Sequence, residues 1–245
     1  MPVIKLVSRS AVLTLLVLLL LPASSTAQGN LKTPWGNEVQ AVDKLLREHK
    51  WKQGLKKARQ LGREIARKSW FAPGLDKDLR DAAFMQAVAE ANLGLREDAI
   101  WHWHMAWNLD PQIRKRDLTP YGDAARLLKE FPLRKKGEVP APFEYRRLDL
   151  YTQVTRPKLE EKLLHAVIEN TEGARQRPGD FHFEAIVDKE GAVHHPVLLG
   201  DYHPVVTYEV LRWIHKLPPL RPGKVGDETS DMVEKFVISF NFQRW

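Results

Sequence analysis

The sequence contains no cysteine among its 245 residues. This absence excludes disulfide bonds, a lipid anchor on an N-terminal cysteine, thiolate metal ligands and a cysteine nucleophile. The folded chain therefore depends on noncovalent packing alone, and 245 residues are enough to bury a substantial core.

Serine is also scarce, because beyond residue 27 only Ser69, Ser230 and Ser239 occur. None of them lies in a nucleophile elbow, the sharp strand-to-helix turn that exposes a catalytic serine. No glycine-rich loop has the spacing that binds phosphate groups. We therefore expect no enzymatic activity and no cofactor.

Histidine is the residue type that most invites an enzymatic interpretation. His102 and His104 are two positions apart on a predicted helix, which separates them by about 200° and prevents them from sharing a metal. His194 and His195 would point to opposite faces of a strand. A metal site across elements, for example His182 with His194 or His195, stays open, but exposed or hydrogen-bonded imidazoles are the simpler interpretation.

The first 27 residues have the features of a secretory signal peptide. Lys5 and Arg9 precede an apolar run over residues 11–21, and small residues follow up to Ala27. We expect cleavage after Ala27 and a periplasmic mature protein. The alternative is an inner-membrane anchor formed by residues 11–21, but this run is much shorter than the roughly 20 residues of a spanning helix.

Residues 32–131 have helical periodicity. Apolar residues recur every three or four positions in two segments before Phe71. Two further helices are predicted over Leu79–Leu93 and Glu97–Leu109, and a fifth helix over Thr119–Phe131 is expected to close the stack.

Small residues, two turns and a closing proline recur in this region with the spacing of a paired-helix repeat, at Ala87, Leu93, Gly94, Ala99, Trp103, Ala106, Leu109, Asp110 and Pro111. Through these residues the region resembles one tetratricopeptide repeat, and the resemblance implies a helical groove for a helix or peptide. Gln86 and Glu90 depart from the family, which has large apolar residues there. Trp101 and Trp103 lie on different faces of their helix, so we expect that both cannot be core residues and that one contacts another element or a bound peptide.

The C-terminal part predicts a small α+β domain. Its pattern is two strands joined by a glycine turn, an amphipathic helix ended by two prolines, and a last strand. The fold class is thus α then α+β, with a three-stranded antiparallel sheet and packed helices. The predicted elements are Phe181–Asp188, Ala192–Leu199, His203–Lys216 and Met232–Phe242, preceded by a strand in Tyr145–Val154 and a helix over Lys158–Asn170.

The predicted domains follow from these patterns and from a proline-containing linker. They are a signal peptide at 1–27, a helical tetratricopeptide-like domain at 32–131, a linker at 132–144 and an α+β domain at 145–245. The linker would span a few tens of ångströms at about 3.1 Å per residue, too short to cross a periplasm.

Four segments of the C-terminal domain have a further recognisable order and spacing: Asp188–Val193, Leu211–Trp213, Pro219–Gly223 and Val237–Phe240. Through these segments the domain resembles that of TonB-type energy transducers. The resemblance implies a non-catalytic periplasmic domain that binds an extended segment of an outer-membrane receptor by pairing at a sheet edge. We expect the last strand to provide that edge, with Val237, Ser239 and Asn241 as partner-binding residues beside Trp101 and Trp103 on the helices.

Positive charge suggests an alternative function. The formal net charge is +7, and basic residues cluster in Lys50–Lys68, Arg114–Arg116 and Arg134–Lys136. The alternative is an envelope tethering factor that docks on anionic surfaces through its basic helices and self-associates as a homodimer. A solvated helix face is the simpler interpretation of the same charges. Because export is predicted, we expect no nucleic-acid partner.

Overall fold

The computed structural model describes residues 33–131, 154–155, 159, 171 and 179–240, which all belong to one compact unit spanning residues 32–245. Helices come first and a three-stranded antiparallel sheet follows, so the predicted α then α+β layout is confirmed. The predicted signal peptide, the whole of the linker 132–144, the predicted strand at 145–154 apart from Val154, and the predicted helix at 158–170 apart from Leu159 lie outside the described residues.

Four helices form the first part of the structure: α1 (Gly36–Arg47), α2 (Trp51–Lys68), α3 (Leu75–Asn92) and α4 (Arg96–Leu109). Helix α3 begins earlier than predicted, directly after Gly74, whose φ of 75° lets the chain turn into the helix. Helices α3 and α4 are joined by a short turn at Gly94, where φ is 76°.

The single helix predicted over Thr119–Phe131 is wrong. The segment is divided into a 3₁₀ turn at Thr119–Tyr121, the short helix α5 (Asp123–Arg126) and a second 3₁₀ turn at Leu127–Glu130. Gly122 separates the first two, because its φ of 84° is incompatible with a continuous right-handed helix. The segment nevertheless packs on the helices through its buried residues Tyr121, Ala125 and Leu128.

The described residues of the second part form six strands and one long helix: β1 (Val154–Thr155), β2 (Gly179–Val187), β3 (Val193–Leu198), α6 (Pro204–Ile214), β4 (Lys224–Val225), β5 (Glu228–Thr229) and β6 (Met232–Phe240). The main sheet has the strand order β3-β2-β6, in which both neighbouring pairs are antiparallel. These three strands and α6 agree with the predicted elements to within a few residues. A second sheet of three two-residue strands, in the order β1-β4-β5, was not predicted.

The turn between β2 and β3 requires glycine at position 191. Gly191 has a φ of 87°, and a Cβ added there would lie 1.9 Å from the carbonyl oxygen of Leu220. Its own carbonyl accepts a 2.8 Å hydrogen bond from the N–H of Leu220. The glycine thus ties the turn to the loop that follows α6.

Helix α6 packs on α2, α3 and α4, so the helices and the sheet share one hydrophobic core. Tyr208 of α6 is 1% exposed and lies against Gly62 of α2. Its hydroxyl accepts a 3.1 Å hydrogen bond from Nε2 of Gln86 on α3. Burial raises the pKa of Tyr208 to about 12, so the hydroxyl stays protonated at neutral pH.

Substituting Gly62 with alanine should lower the free energy of unfolding by about 1–3 kcal/mol, the usual cost of overpacking a core. The new Cβ would lie 2.0 Å from Oη and 2.6 Å from Cζ of Tyr208. The ring of Tyr208 is buried, so it has little room to move away. This cost should exceed the gain of roughly 1 kcal/mol in helix propensity. Urea denaturation measures the difference.

Gly54→Ala on the same helix is the matched control. A Cβ at Gly54 would lie 2.3 Å from Cδ2 of Leu46, the flexible end of an aliphatic side chain that can shift. Gly54→Ala should therefore cost less than Gly62→Ala. Equal or greater stability of Gly62→Ala relative to the unsubstituted protein would show that α6 does not pack on α2 as described.

Candidate functional site: the β6 edge of the sheet

Strand β6 forms one edge of the main sheet. It pairs with β2 in an unbroken antiparallel register that extends from Gly179 opposite Phe240 to Val187 opposite Met232. Among the described residues, no strand pairs with the other side of β6. An edge strand of this kind presents unpaired main-chain groups to another chain.

The direction of the main-chain groups of β6 follows from the contacts of His182 in β2. The carbonyl of His182 accepts a 3.0 Å hydrogen bond from the N–H of Leu199, and its N–H donates to the hydroxyl of Tyr202 at 2.6 Å. Both groups of His182 therefore point away from β6. Because His182 lies opposite Val237, this is a non-hydrogen-bonded pair, and Val237 also turns its N–H and C=O away from β2.

The two-residue period of a strand extends this direction along β6. Val233, Lys235 and Ser239 point their main-chain groups the same way as Val237. In agreement, the N–H of Lys235 donates to the side chain of Glu234 at 3.2 Å instead of to β2. Val237 and Ser239 thus present N–H and C=O groups at the edge where we expected partner binding. Asn241 lies outside the described residues.

The opposite edge of the sheet is closed by a side chain. Asn108 of α4 accepts a 3.1 Å hydrogen bond from the N–H of Leu198 through Oδ1, and its Nδ2 donates to the carbonyl of Pro196 at 3.0 Å. Pro196 has no N–H to offer. The amide of Asn108 therefore replaces a fourth strand beside β3.

A β-bulge interrupts the regular strand that was expected at His194 and His195. The register between β2 and β3 shifts, and His195 has a φ of 49°, an uncommon value for a residue other than glycine. The bulge directs His195 to α4, where its Nδ1 lies 3.1 Å from Nε2 of His104. Nε2 of His194 instead lies 2.7 Å from Oδ2 of Asp188.

The histidines do not assemble into a metal centre in the part of the chain that the structure describes. No three histidine, cysteine, aspartate or glutamate side chains are grouped there so that they can hold an ion. His182 is exposed on β2, and its Nε2 is 4.0 Å from Asp180.

Trp101 and Trp103 are both buried, with exposed fractions of 4% and 1%. The expectation that they cannot both be core residues is therefore wrong. Trp101 donates from Nε1 to the carbonyl of Leu211 at 3.2 Å and stacks on His215, while Trp103 packs near Phe84. Helix α6 covers the face that carries Trp101, so the expected groove is filled by the chain itself.

Polar residues that depart from the tetratricopeptide pattern lie in this interface. Glu90 is fully buried and contacts Nη2 of Arg59 at 2.9 Å and Nδ1 of His102 at 2.7 Å. A buried carboxylate needs such partners, because leaving it unpaired costs several kcal/mol. Gln86 and Glu90 are isolated polar residues, four apart on an apolar helix. This pattern is the sequence signal that α3 contacts polar groups of neighbouring helices.

His215 joins the same interface from the end of α6. Its Nε2 lies 2.7 Å from Oδ1 of Asp98, and its ring meets that of His102 at 5.7 Å. Burial lowers the pKa of His215, and the opposing effect of Asp98 does not compensate for it. The neutral imidazole is therefore the form that fits the folded protein.

No protein-family model, curated protein or solved structure matches this chain. Its class is thus defined by its own geometry: an α then α+β protein whose three-stranded sheet has one covered edge and one edge without a described partner. In the described ranges, no helix combines the length and the apolar character that crossing a bilayer requires.

Amide hydrogen exchange should alternate along β6. The N–H groups of Val237 and Ser239 should exchange at least about tenfold faster than those of Phe236 and Ile238, because only the latter are bonded to β2. Nuclear magnetic resonance resolves these amides individually. Equal protection at all four positions would show that another segment or a second copy covers the edge.

Asn108→Ala provides the control at the opposite edge. Removal of the amide should accelerate exchange at Leu198, whose N–H loses its acceptor, and leave Phe236 unchanged. If exchange at Leu198 does not respond, Asn108 is not what closes that edge.

The pH dependence of stability should report the buried His215. In the folded protein the pKa of His215 lies below its ordinary value of 6.5, so the unfolded chain binds the proton more tightly. The stabilising contribution is therefore present above about pH 6.5 and is lost as the pH falls through the lower, folded pKa. The thermal midpoint of unfolding should decrease as the pH is lowered from about 7.5 to about 5.5, and the decrease should be smaller in His215→Gln. An equal decrease in both proteins would contradict this assignment.

Proposed function

We propose that this chain is a non-catalytic periplasmic protein that binds an extended segment of a partner as an added strand beside β6. The observation that carries the proposal is the direction of the main-chain groups of Val237 and Ser239, which point away from β2 in a nine-residue edge strand. Main-chain pairing of this kind supplies affinity, and alternate side chains supply specificity. On the TonB-like interpretation, the partner is a segment of an outer-membrane receptor.

The exposed side chains beside the edge suggest what the added strand carries. Val237 is 48% exposed although it is apolar, and Lys235 is exposed on the same face. Cross-strand neighbours contact each other on one face of a sheet. A partner with an apolar or β-branched residue opposite Val237 and an acidic residue near Lys235 fits this face best.

The tetratricopeptide-like helices have a supporting role in this proposal. Ala87, Ala99 and Ala106 are buried in the α3 and α4 pair, where small residues allow close helix packing. The face of α4 that carries Trp101 binds the chain's own helix α6. The helical part therefore holds the sheet in place, and the partner binds at β6.

A photocrosslinking amino acid at position 237 tests the proposal in cells. We expect a crosslink to a partner protein, and we expect Ser239→Pro to abolish it because proline removes an outward N–H and leaves the ladder with β2 intact. Ser239→Thr keeps the N–H and is the matched control. Immunoblotting of the crosslinked product measures the effect.

Two further variants separate loss of binding from loss of folding. Ile238→Pro removes an N–H that is bonded to β2 and should destabilise the sheet, whereas Ser239→Pro should keep the circular dichroism spectrum of the unsubstituted protein. The same crosslinker at Leu127, which is 50% exposed on a different element, should not capture the same partner. A crosslink from position 237 that survives Ser239→Pro would refute strand addition.

A further inference from the structure

A row of basic side chains runs along the exposed side of α2. Lys52, Lys56, Arg59, Arg63 and Arg67 recur every three or four residues, so they share one face of the helix, and all five are exposed. At 1.5 Å per residue the row is about 22 Å long. We call these five residues the α2 cationic face.

Few acidic groups balance this charge. Glu64 is the only acidic residue of α2, and its carboxylate accepts a 2.9 Å hydrogen bond from Gln60 and lies 3.9 Å from Lys68. Within the α2 cationic face, only Arg59 forms an ion pair with a described residue, the buried Glu90. Four cations of the face therefore have no described carboxylate partner.

Folding adds a cation from α6 to the same surface. Helix α6 packs on α2, and Lys216 follows its end with an exposed side chain. Partial burial lowers the pKa of Lys216, and Arg212, Arg63 and Arg59 lower it further by repulsion. The surface is thus a region of positive potential that two distant parts of the sequence create together.

An aromatic side chain lies just beyond the end of this helix. Phe71 follows Lys68, the last residue of α2, by three positions and is 86% exposed, the largest value among the exposed large hydrophobic residues described. Basic side chains combined with an exposed phenylalanine are typical of surfaces that lie on a bilayer, where the ring enters the boundary between headgroups and acyl chains.

We propose that the α2 cationic face, together with Lys216 and Phe71, docks the protein on a bilayer that contains anionic phospholipids. The basic side chains bind headgroup phosphates, and Phe71 supplies a shallow apolar contact. This inference is independent of strand addition at β6, because it uses other residues and another kind of partner. A bilayer suits the surface better than a soluble polyanion does, since a polyanion alone leaves Phe71 in water.

Cosedimentation of the full chain with vesicles tests this inference. We expect binding to vesicles of phosphatidylcholine with phosphatidylglycerol, and weaker binding to phosphatidylcholine alone. Vesicles of phosphatidylcholine alone report the apolar contributions of Phe71 and of residues 11–21, and the latter are the same in every variant. Binding to the anionic vesicles should fall as salt rises from about 0.1 M to about 1 M, because the Debye length shortens from about 10 Å to about 3 Å.

The decisive variant replaces Lys52, Lys56, Arg63 and Arg67 with glutamine. It should weaken binding to the anionic vesicles by at least about tenfold, since each basic residue near such a surface contributes measurably to binding. The matched control replaces four exposed cations of the segment that packs on α3 and α4, namely Arg114, Lys115, Arg126 and Lys129. It has the same net charge and should bind within about twofold of the unsubstituted protein.

Phe71→Ser distinguishes a bilayer from other polyanions. It should weaken vesicle binding severalfold at unchanged charge and leave binding to soluble polyphosphate unaffected. Circular dichroism shows whether each variant is folded. Equal losses in the two four-residue variants, salt-independent binding, or vesicle binding that Phe71→Ser does not change would each overturn the proposal.

Discussion

The packing of α6 against α2, α3 and α4 is the constraint on which the rest of this structure depends. Tyr208 fits against Gly62 only because that position has no side chain, and Gln86 satisfies the buried hydroxyl. Trp101 then loses its contact with solvent and bonds to the backbone of α6. A groove that the helical pattern suggested for a ligand thus becomes an internal interface, and the sheet edge is the surface that we propose for a partner.

The packing of the described helices on the sheet covers one of its edges and not the other. Strand β3 lies against α4, so Asn108 can reach its main-chain groups, and the bulge at His195 brings that side chain to His104. Strand β6 is two strands away from this contact. No described element reaches its outer main-chain groups, and the charged neighbours Glu234 and Lys235 are the kind of residues that discourage nonspecific pairing of an edge.

Much of the fold could be predicted from the sequence because its signals are local. Alternation defined β2 and β6, Gly191 marked the turn, and two prolines ended α6. The burial of Trp101 in addition to Trp103 could not be predicted, since Trp101 is covered by α6, about 100 residues away. The direction of the N–H of Val237 could not be predicted either, because it follows from the hydrogen-bond partners of His182 and not from the sequence of β6 itself.

The energetics of strand addition connect the two proposed surfaces. Val233, Val237 and Ser239 each offer one N–H and one C=O, Lys235 offers its C=O, and each hydrogen bond contributes about 0.5–1.5 kcal/mol net. Association costs roughly 4–15 kcal/mol before any gain, so the main chain alone supports only weak binding. A protein held on a membrane surface meets a membrane-bound partner at a much higher effective concentration. Weak pairing at β6 would then be sufficient, and it would remain reversible.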